Sequence, residues 1–175
     1  IYVKEMNFKM NIILHEPEIP QNTGNIGRTC VATGTSLHLI EPLGFKIDDK
    51  SLKRAGMDYW KDLDVHYYTN FQDFLNKNPN ANIYMATTKA LNTYSDIKFK
   101  DDDFIMFGSE GSGIPEEILL HYKDNSIRIP MLEQYRSLNL SNSVAIVLYE
   151  ALRQNSFKGC QMEGHLHRHS WSEAE

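Results

Sequence analysis

Short apolar runs alternate with polar stretches punctuated by glycine and proline along the whole chain. Asn11-Ile12-Ile13-Leu14-His15 reads as a first strand and Ser36-Leu37-His38-Leu39-Ile40 as a second. Asp64 to Tyr68, Asn82 to Thr88, Phe104 to Phe107 and Ser126 to Ile129 supply four more. Helical stretches fall between them. Asn22 or Thr23 caps a helix that runs to about Thr33, where Gly34 stops it. Asp48 or Asp49 caps a short one, and Asn70 to Asn76 forms another with Phe71, Phe74 and Leu75 inward. Pro115 with Glu116 and Glu117 starts a helix reaching about Tyr122, and Ser141 or Asn142 caps the last one, which extends to Gln154. Strand and helix alternate with no repeat and no linker. The pattern predicts an α/β domain with a mostly parallel sheet flanked by helices.

The last helix adds an expectation about assembly. Val144, Ala145, Ile146, Val147 and Leu148 are consecutive, so apolar side chains surround the helix. Such a helix is buried on more than one face, one against the sheet and another against a second subunit. A homodimer is therefore expected.

Composition narrows the class. A chain of 175 residues that is 41% hydrophobic and 23% charged is an ordinary globular protein with one sizeable core. The core pattern covers residues 10–157. Residues 1–9 and 158–175 have none and are expected to be extensions outside the fold. A net charge of −5 excludes a global basic field, so any nucleic-acid site must be a local patch. Cys30 and Cys160 lack metal-ligand spacing and read as reduced thiols of a cytoplasmic protein. His165, His167 and His169 alternate in a polar tail, which reads as a tail before it reads as a metal site, so no metal is expected. No apolar run approaches the ~20 residues that span a bilayer, and no membrane association is expected.

The chemistry concentrates where Phe104–Phe107 leads into Gly108-Ser109-Glu110-Gly111-Ser112-Gly113-Ile114-Pro115. A strand, a glycine-rich loop and a helix start place a ligand at the strand's C-terminal end. The spacing G-x-x-G-x-G is not the dinucleotide fingerprint, and no Lys-Ser/Thr follows as a phosphate loop needs. A nucleophile elbow is absent. Glu110, Glu116 and Glu117 would repel a pyrophosphate. The loop is expected to hold its ligand by backbone contacts and to tolerate positive charge; a glycine-rich turn without a ligand is the alternative. In the first helix Gly24 and Gly27 each cost up to about 1 kcal/mol relative to alanine, which implies close approach of something to its first turns. Asn25 and Arg28 share a face there; a plain surface cation is the alternative for Arg28. Lys46, Lys50, Lys53, Arg54 and Lys61 form the densest basic cluster, beside Tyr59 and Trp60. Phosphate contact with base stacking uses such a set, and a solvated charged face is its alternative.

Three segments together resemble the motifs of the SPOUT-superfamily RNA 2'-O-methyltransferases. They are Asn22-Thr23-Gly24-Asn25-Ile26-Gly27-Arg28, Phe107 through Pro115, and Ile129-Pro130-Met131 through Arg136-Ser137-Leu138-Asn139-Leu140-Ser141-Asn142. The Glu16-Pro17-Glu18-Ile19-Pro20 opening and the Asp48-to-Tyr59 stretch are similar to one branch, the tRNA (cytidine/uridine-34)-2'-O-methyltransferases. Gly111 departs from the threonine common in that branch. The resemblance implies a C-terminal deep trefoil knot, a homodimer, S-adenosyl-L-methionine as cofactor and the tRNA anticodon stem-loop as partner. It assigns cofactor contacts to Ala86, Gly108, Glu110, Ile129, Met131, Ser137 and Leu138. It assigns catalysis to Arg28, with Asn25, Glu110, Ser137 and Asn142, and RNA contact to Arg28, Lys46, Lys53, Arg54, Arg136 and Tyr149. A related enzyme acting on another tRNA or rRNA site, or a non-catalytic RNA-binding module, is the alternative.

Overall fold

The computed structural model describes residues 8–48 and 58–174. Among them, seven strands form one sheet: β1 (Asn11–His15), β2 (Ser36–Ile40), β3 (Val65–Tyr68), β4 (Ile83–Ala86), β5 (Asn92–Thr93), β6 (Phe104–Phe107) and β7 (Ser126–Arg128). Their order is β3-β2-β1-β6-β4-β7-β5, and every pairing is parallel. The α/β expectation holds, with one two-residue strand, β5, too short to show a pattern. The helices are α1 (Pro20–Thr33), α2 (Phe71–Lys77), α3 (Glu116–Leu119) and α4 (Leu140–Gln154). The helix expected after Asp49, with Lys50, Lys53 and Arg54, lies outside the described residues.

Burial on both faces explains the unbroken apolar runs. Ile12, Leu14, Ile105 and Phe107 face α1 and α4, packing with Ile26, Cys30, Val144, Val147 and Leu148. Ile13, Ile40, Met85 and Met106 face the other way, against Phe74 of α2 and Ile118 of α3. Each isoleucine or leucine buried in this way contributes about 1.5–3 kcal/mol. Adjacent registers pair Leu14 with Phe107, Ala86 with Phe107 and Ala86 with Ile127. The loops after β1, β4, β6 and β7 therefore leave the sheet side by side at one end.

Several helix ends differ from the sequence pattern. α1 begins at Pro20 with Ile19 as N-cap, and Asn22 and Thr23 are buried inside its first turn. A cap supplied from elsewhere in the chain replaces a local one. At the other end Gly34 does stop α1, at φ 65°, with its amide on the Cys30 and Val31 carbonyls. Asn139, not Ser141 or Asn142, caps α4: its side chain accepts from the Asn142 amide at 3.2 Å. α3 ends at Leu119, and turn structure follows to Tyr122. α4 is not buried all round either. Val144, Val147, Leu148, Ala151 and Leu152 form its buried stripe, while Ile146 and Tyr149 are exposed. Five consecutive apolar residues circle the helix once, but only the stripe facing the sheet and α1 meets protein in a single chain.

A polar cluster is buried where β1, β2 and β3 meet. Asn11 Nδ2 donates to the Asp102 carbonyl, which turns its oxygen toward His38 Nε2 at 3.3 Å. His38 is thus protonated on Nε2, and its Nδ1 accepts from the Tyr68 hydroxyl at 2.9 Å. Burial, then the stacked His66 ring, lowers the His38 pKa to about 3. The sign follows directly. Between the free value near 6.5 and the folded value, only the unfolded chain takes up this proton, so stability falls as pH drops through that window. Urea melts from pH 7 to pH 4.5 should show a loss of about 2 kcal/mol in the wild type that His38→Gln does not show. Equal slopes in the two proteins would exclude His38 as a source.

Candidate active site

The loops gathered at that end of the sheet enclose a cleft of about 580 Å³. That lies in the range of small-molecule sites, about 300–1,000 Å³. Its walls are the 86–89 segment after β4, the 108–114 loop after β6, and residues 129–140 between β7 and α4, with Ile19 and Asn22 of the α1 start and Val147 of α4 behind. All seven residues expected at a cofactor line it: Ala86, Gly108, Glu110, Ile129, Met131, Ser137 and Leu138.

The glycine-rich loop folds tightly on itself. Gly113 donates to the Ser109 carbonyl at 2.9 Å, and the Ser109 and Ser112 hydroxyls lie 2.8 Å apart. A Cβ on Gly108 would sit 2.0 Å from the Gly113 carbonyl carbon and 2.2 Å from the Ile114 nitrogen. Gly113 has φ +71°, the left-handed region. Close approach of the loop to itself, more than to a ligand, is what demands glycine at 108.

Glu110 leaves the loop and crosses to the start of α1. Its carboxylate accepts from the Glu18 amide at 2.8 Å, the Ile19 amide at 3.1 Å and Asn22 Nδ2 at 3.2 Å. The side chain is the missing cap: a negative group on the positive end of a helix whose first turn has no acidic residue of its own. Glu110 accepts from the two backbone amides just ahead of α1, and Glu116 pairs with Lys89 at 2.8 Å, a contact that lowers its pKa. Glu110→Ala should lower stability by about 2–3 kcal/mol, because two backbone donors and an amide lose a charged acceptor. A melting temperature within 2 °C of wild type, where about 4–12 °C of loss is expected, would contradict this.

Asn22 continues the connection. Its Oδ1 accepts from Asn139 Nδ2 at 3.1 Å, and Asn139 in turn caps α4. The polar chain Glu110–Asn22–Asn139 joins the three motif segments edge to edge. Sequence reasoning treated Asn22 as a local cap and gave Asn139 no role. The signal available was that an asparagine stands in each of two glycine- or serine-flanked motifs, but only the fold brings them together. Thr87, Thr88 and Lys89, which follow β4, also line the cleft.

The remaining expected residues divide into two groups. Arg136 lines the cleft with Ser137, both exposed. Arg28, Asn25, Asn142 and Tyr149 are exposed outside its lining, the first two farther along α1. Arg28 is six residues beyond Asn22, about 9 Å along the axis. Its guanidinium forms no hydrogen bond or ion pair among the described residues. Lys46 lines a separate open groove with Phe45 and Tyr67, and Lys53 and Arg54 lie outside the described residues. Tyr59 and Trp60, for which base stacking and a solvated face were both open, pack against α1: the Tyr59 hydroxyl donates to the Gly24 carbonyl, and a Cβ on Gly27 would lie 3.0 Å from the Trp60 ring. The close approach that Gly24 and Gly27 permit is by this turn of the protein itself.

The cleft combines apolar wall with backbone. Ile127, Ile129, Leu138 and Val147 provide apolar wall, and the 108–114 loop brings backbone to it. No group of three or more His, Cys, Asp or Glu that could hold a metal occurs among the described residues. No described helix is long and apolar enough to cross a membrane.

Parallel sheet and glycine-loop cleft together define an α/β protein with a small-molecule cleft at the C-terminal ends of its strands. The comparisons with known proteins specify which. Residues 9–149 match the SpoU rRNA methylase family. A protein of Geobacillus stearothermophilus is 50% identical over 153 residues, which is 86% of this chain and 98% of the relative. The tRNA (cytidine(34)-2'-O)-methyltransferase of Saccharophagus degradans is 46% identical over 150 residues, 85% of this chain and 97% of the relative. A solved structure described as giving insights into the 2-OH methylation of C/U34 on tRNA superposes with TM-score 0.80 at 39% identity, over 85% of this chain and 97% of that one. The chain belongs to the SpoU rRNA methylase family.

Proposed function

We propose that this protein transfers the methyl group of S-adenosyl-L-methionine to the ribose 2'-hydroxyl of nucleotide 34, C or U, of tRNA. The observation that carries the reading is the joining of the three motif segments around one cleft, in a chain aligned over nearly the full length of relatives named for that reaction. Gly108, Ile129, Met131 and Leu138 would hold the cofactor largely through backbone atoms, with Ala86 and Ser137 at its edges. Bound there, the cofactor supplies an electrophilic methyl group.

The protein's own part is alignment. A guanidinium has N–H donors and no acceptor, so Arg28 would serve as a donor, not a base. It would fix the ribose hydroxyl or its neighbouring phosphate, while water or a phosphate oxygen accepts the proton. Asn25, one turn earlier on the same helix, would orient the guanidinium. Ser137 and Asn142 would shape the side of the cleft facing RNA. Arg136 and Lys46, with Lys53 and Arg54, would meet phosphates of the anticodon stem-loop. Distance along α1 separates Arg28 from the cleft within one chain, which supports a homodimer whose active site combines two copies. The exposed Ile146 and Tyr149 on α4 supply an apolar face for it. A C-terminal trefoil knot and a cytoplasmic location belong to the same reading. The segment after β7 does run back to line the cleft with the 108–114 loop before bonding to α1.

The test is methylation of unmodified total tRNA followed by position-resolved mapping of 2'-O-methyl groups. A single new methyl group at position 34 is expected; methylation elsewhere, or none, overturns the reading. Light scattering should give twice the 20.2 kDa chain mass, and a stable monomer would remove the shared site.

A further inference from the structure

Arg28 presents a difficulty for any mechanism that relies on alignment. It is exposed, and among the described residues its side chain touches no acceptor that would hold it in place. A long side chain in that condition keeps much of its rotamer freedom. Its direction then depends on the backbone beneath it.

That backbone is held from outside the helix. The turn Asp58–Asp62 lies across the first half of α1. The Tyr59 hydroxyl donates to the carbonyl of Gly24, the same carbonyl that receives the Arg28 amide in the i→i−4 ladder. Next to it the Trp60 ring covers Gly27, within 3.0 Å of where a Cβ would stand, and Leu63 follows at 3.3 Å. Leu63 is anchored in turn by its amide on the Trp60 carbonyl at 3.1 Å. The residue immediately before Arg28 and the carbonyl directly under it are therefore both gripped by one turn. A glycine at 27 is what lets the indole reach the helix. Glu110 fixes the start of the same helix, so α1 is clamped on either side of Asn25.

We propose that Tyr59 and Trp60 are positioning residues for Arg28. The hydroxyl of Tyr59 fixes the rotation of the α1 turn that carries the guanidinium, and the Trp60 ring on Gly27 sets its distance from the turn. Tyr59 does not exchange protons in this role. Its hydroxyl is committed to a carbonyl, and burial holds its pKa above the usual tyrosine range against the opposing pull of Arg28. The inference rests on the reading of Arg28 as the residue that aligns the acceptor hydroxyl.

Tyr59→Phe removes one hydroxyl and keeps the ring. Single-turnover methylation of tRNA by this variant should fall about tenfold, since small misplacements of aligning groups carry large rate costs. KM for tRNA and cofactor affinity by calorimetry should stay within twofold of wild type. Arg28→Ala/Tyr59→Phe should be no slower than Arg28→Ala alone, because a residue acting through Arg28 has nothing to align once it is gone. Trp60→Phe, which retains a ring over Gly27, should keep more activity than Trp60→Ala. Three results would overturn the proposal: a Tyr59→Phe rate within twofold of wild type, losses that multiply in the double variant, or a parallel drop in cofactor affinity that marks a general structural defect. Failure of the wild type to methylate position 34 would instead count against the functional reading itself.

Discussion

Arg28→Ala is expected to slow methyl transfer to tRNA by about 10²–10³-fold while cofactor affinity and melting temperature stay at wild-type values. The separation of effects follows from where the residue sits. Arg28 is exposed on α1, outside the lining of the cleft, and no described residue depends on its side chain for a hydrogen bond. Removing it therefore costs the fold and the cofactor site little. What it removes, on the proposed reading, is a forked guanidinium donor to the acceptor hydroxyl or the phosphate beside it. Arg28→Lys should recover only a small part of the rate, because an ammonium keeps the charge and loses the fork. Single-turnover kinetics with saturating cofactor separates these cases. Turnover near wild type in Arg28→Ala would remove the residue from the mechanism.

Gly108→Ala is expected to have the second large effect, of the opposite kind: loss of the cofactor cleft together with at least about 3 kcal/mol of stability. The added methyl group would sit 2.0 Å from the backbone of Gly113, and backbone on a closed loop has nowhere to retreat. The loop would open, and Glu110 would be carried away from the Glu18 and Ile19 amides it caps. A fall in melting temperature of about 6–12 °C and no calorimetric cofactor signal are the expected readouts. Gly113→Ala is the informative control. A Cβ there meets nothing within 4 Å, so only the left-handed φ of +71° opposes it, at about 1–2 kcal/mol. If the two alanine variants behave alike, the self-contact of the loop is not what requires glycine at 108.

The strands were legible because a sheet covered on both faces needs apolar residues at successive positions, and Ile12-Ile13-Leu14 or Phe104 through Phe107 have no other use in a chain of this composition. The ligand loop was legible for a related reason: a glycine-rich turn between a buried strand and a helix start leaves few physical options, and its spacing already spoke against a dinucleotide. Helix ends were read less well. A local rule assigned caps to Asn22 and Ser141, whereas α1 takes its cap from Glu110, about ninety residues away in the chain. Local propensity cannot see an acceptor delivered by another loop. The same limit hid the role of Tyr59 and Trp60, whose aromatic and basic neighbourhood resembled a nucleic-acid surface until the fold laid them on Gly24 and Gly27.

By itself, then, the amino-acid sequence determined the parallel α/β architecture, the segments that build the cleft and the residue types available to it, because all of these follow from short-range pattern. Only the tertiary structure decided which side chains face the ligand and which serve one another. Parallel strands set the 86–89, 108–114 and 129–140 segments side by side, and at that range Glu110, Asn22 and Asn139 satisfy each other's hydrogen bonds. Hydrogen-bonding capacity used inside the protein is unavailable to a substrate, and no linear pattern records which partner it will find.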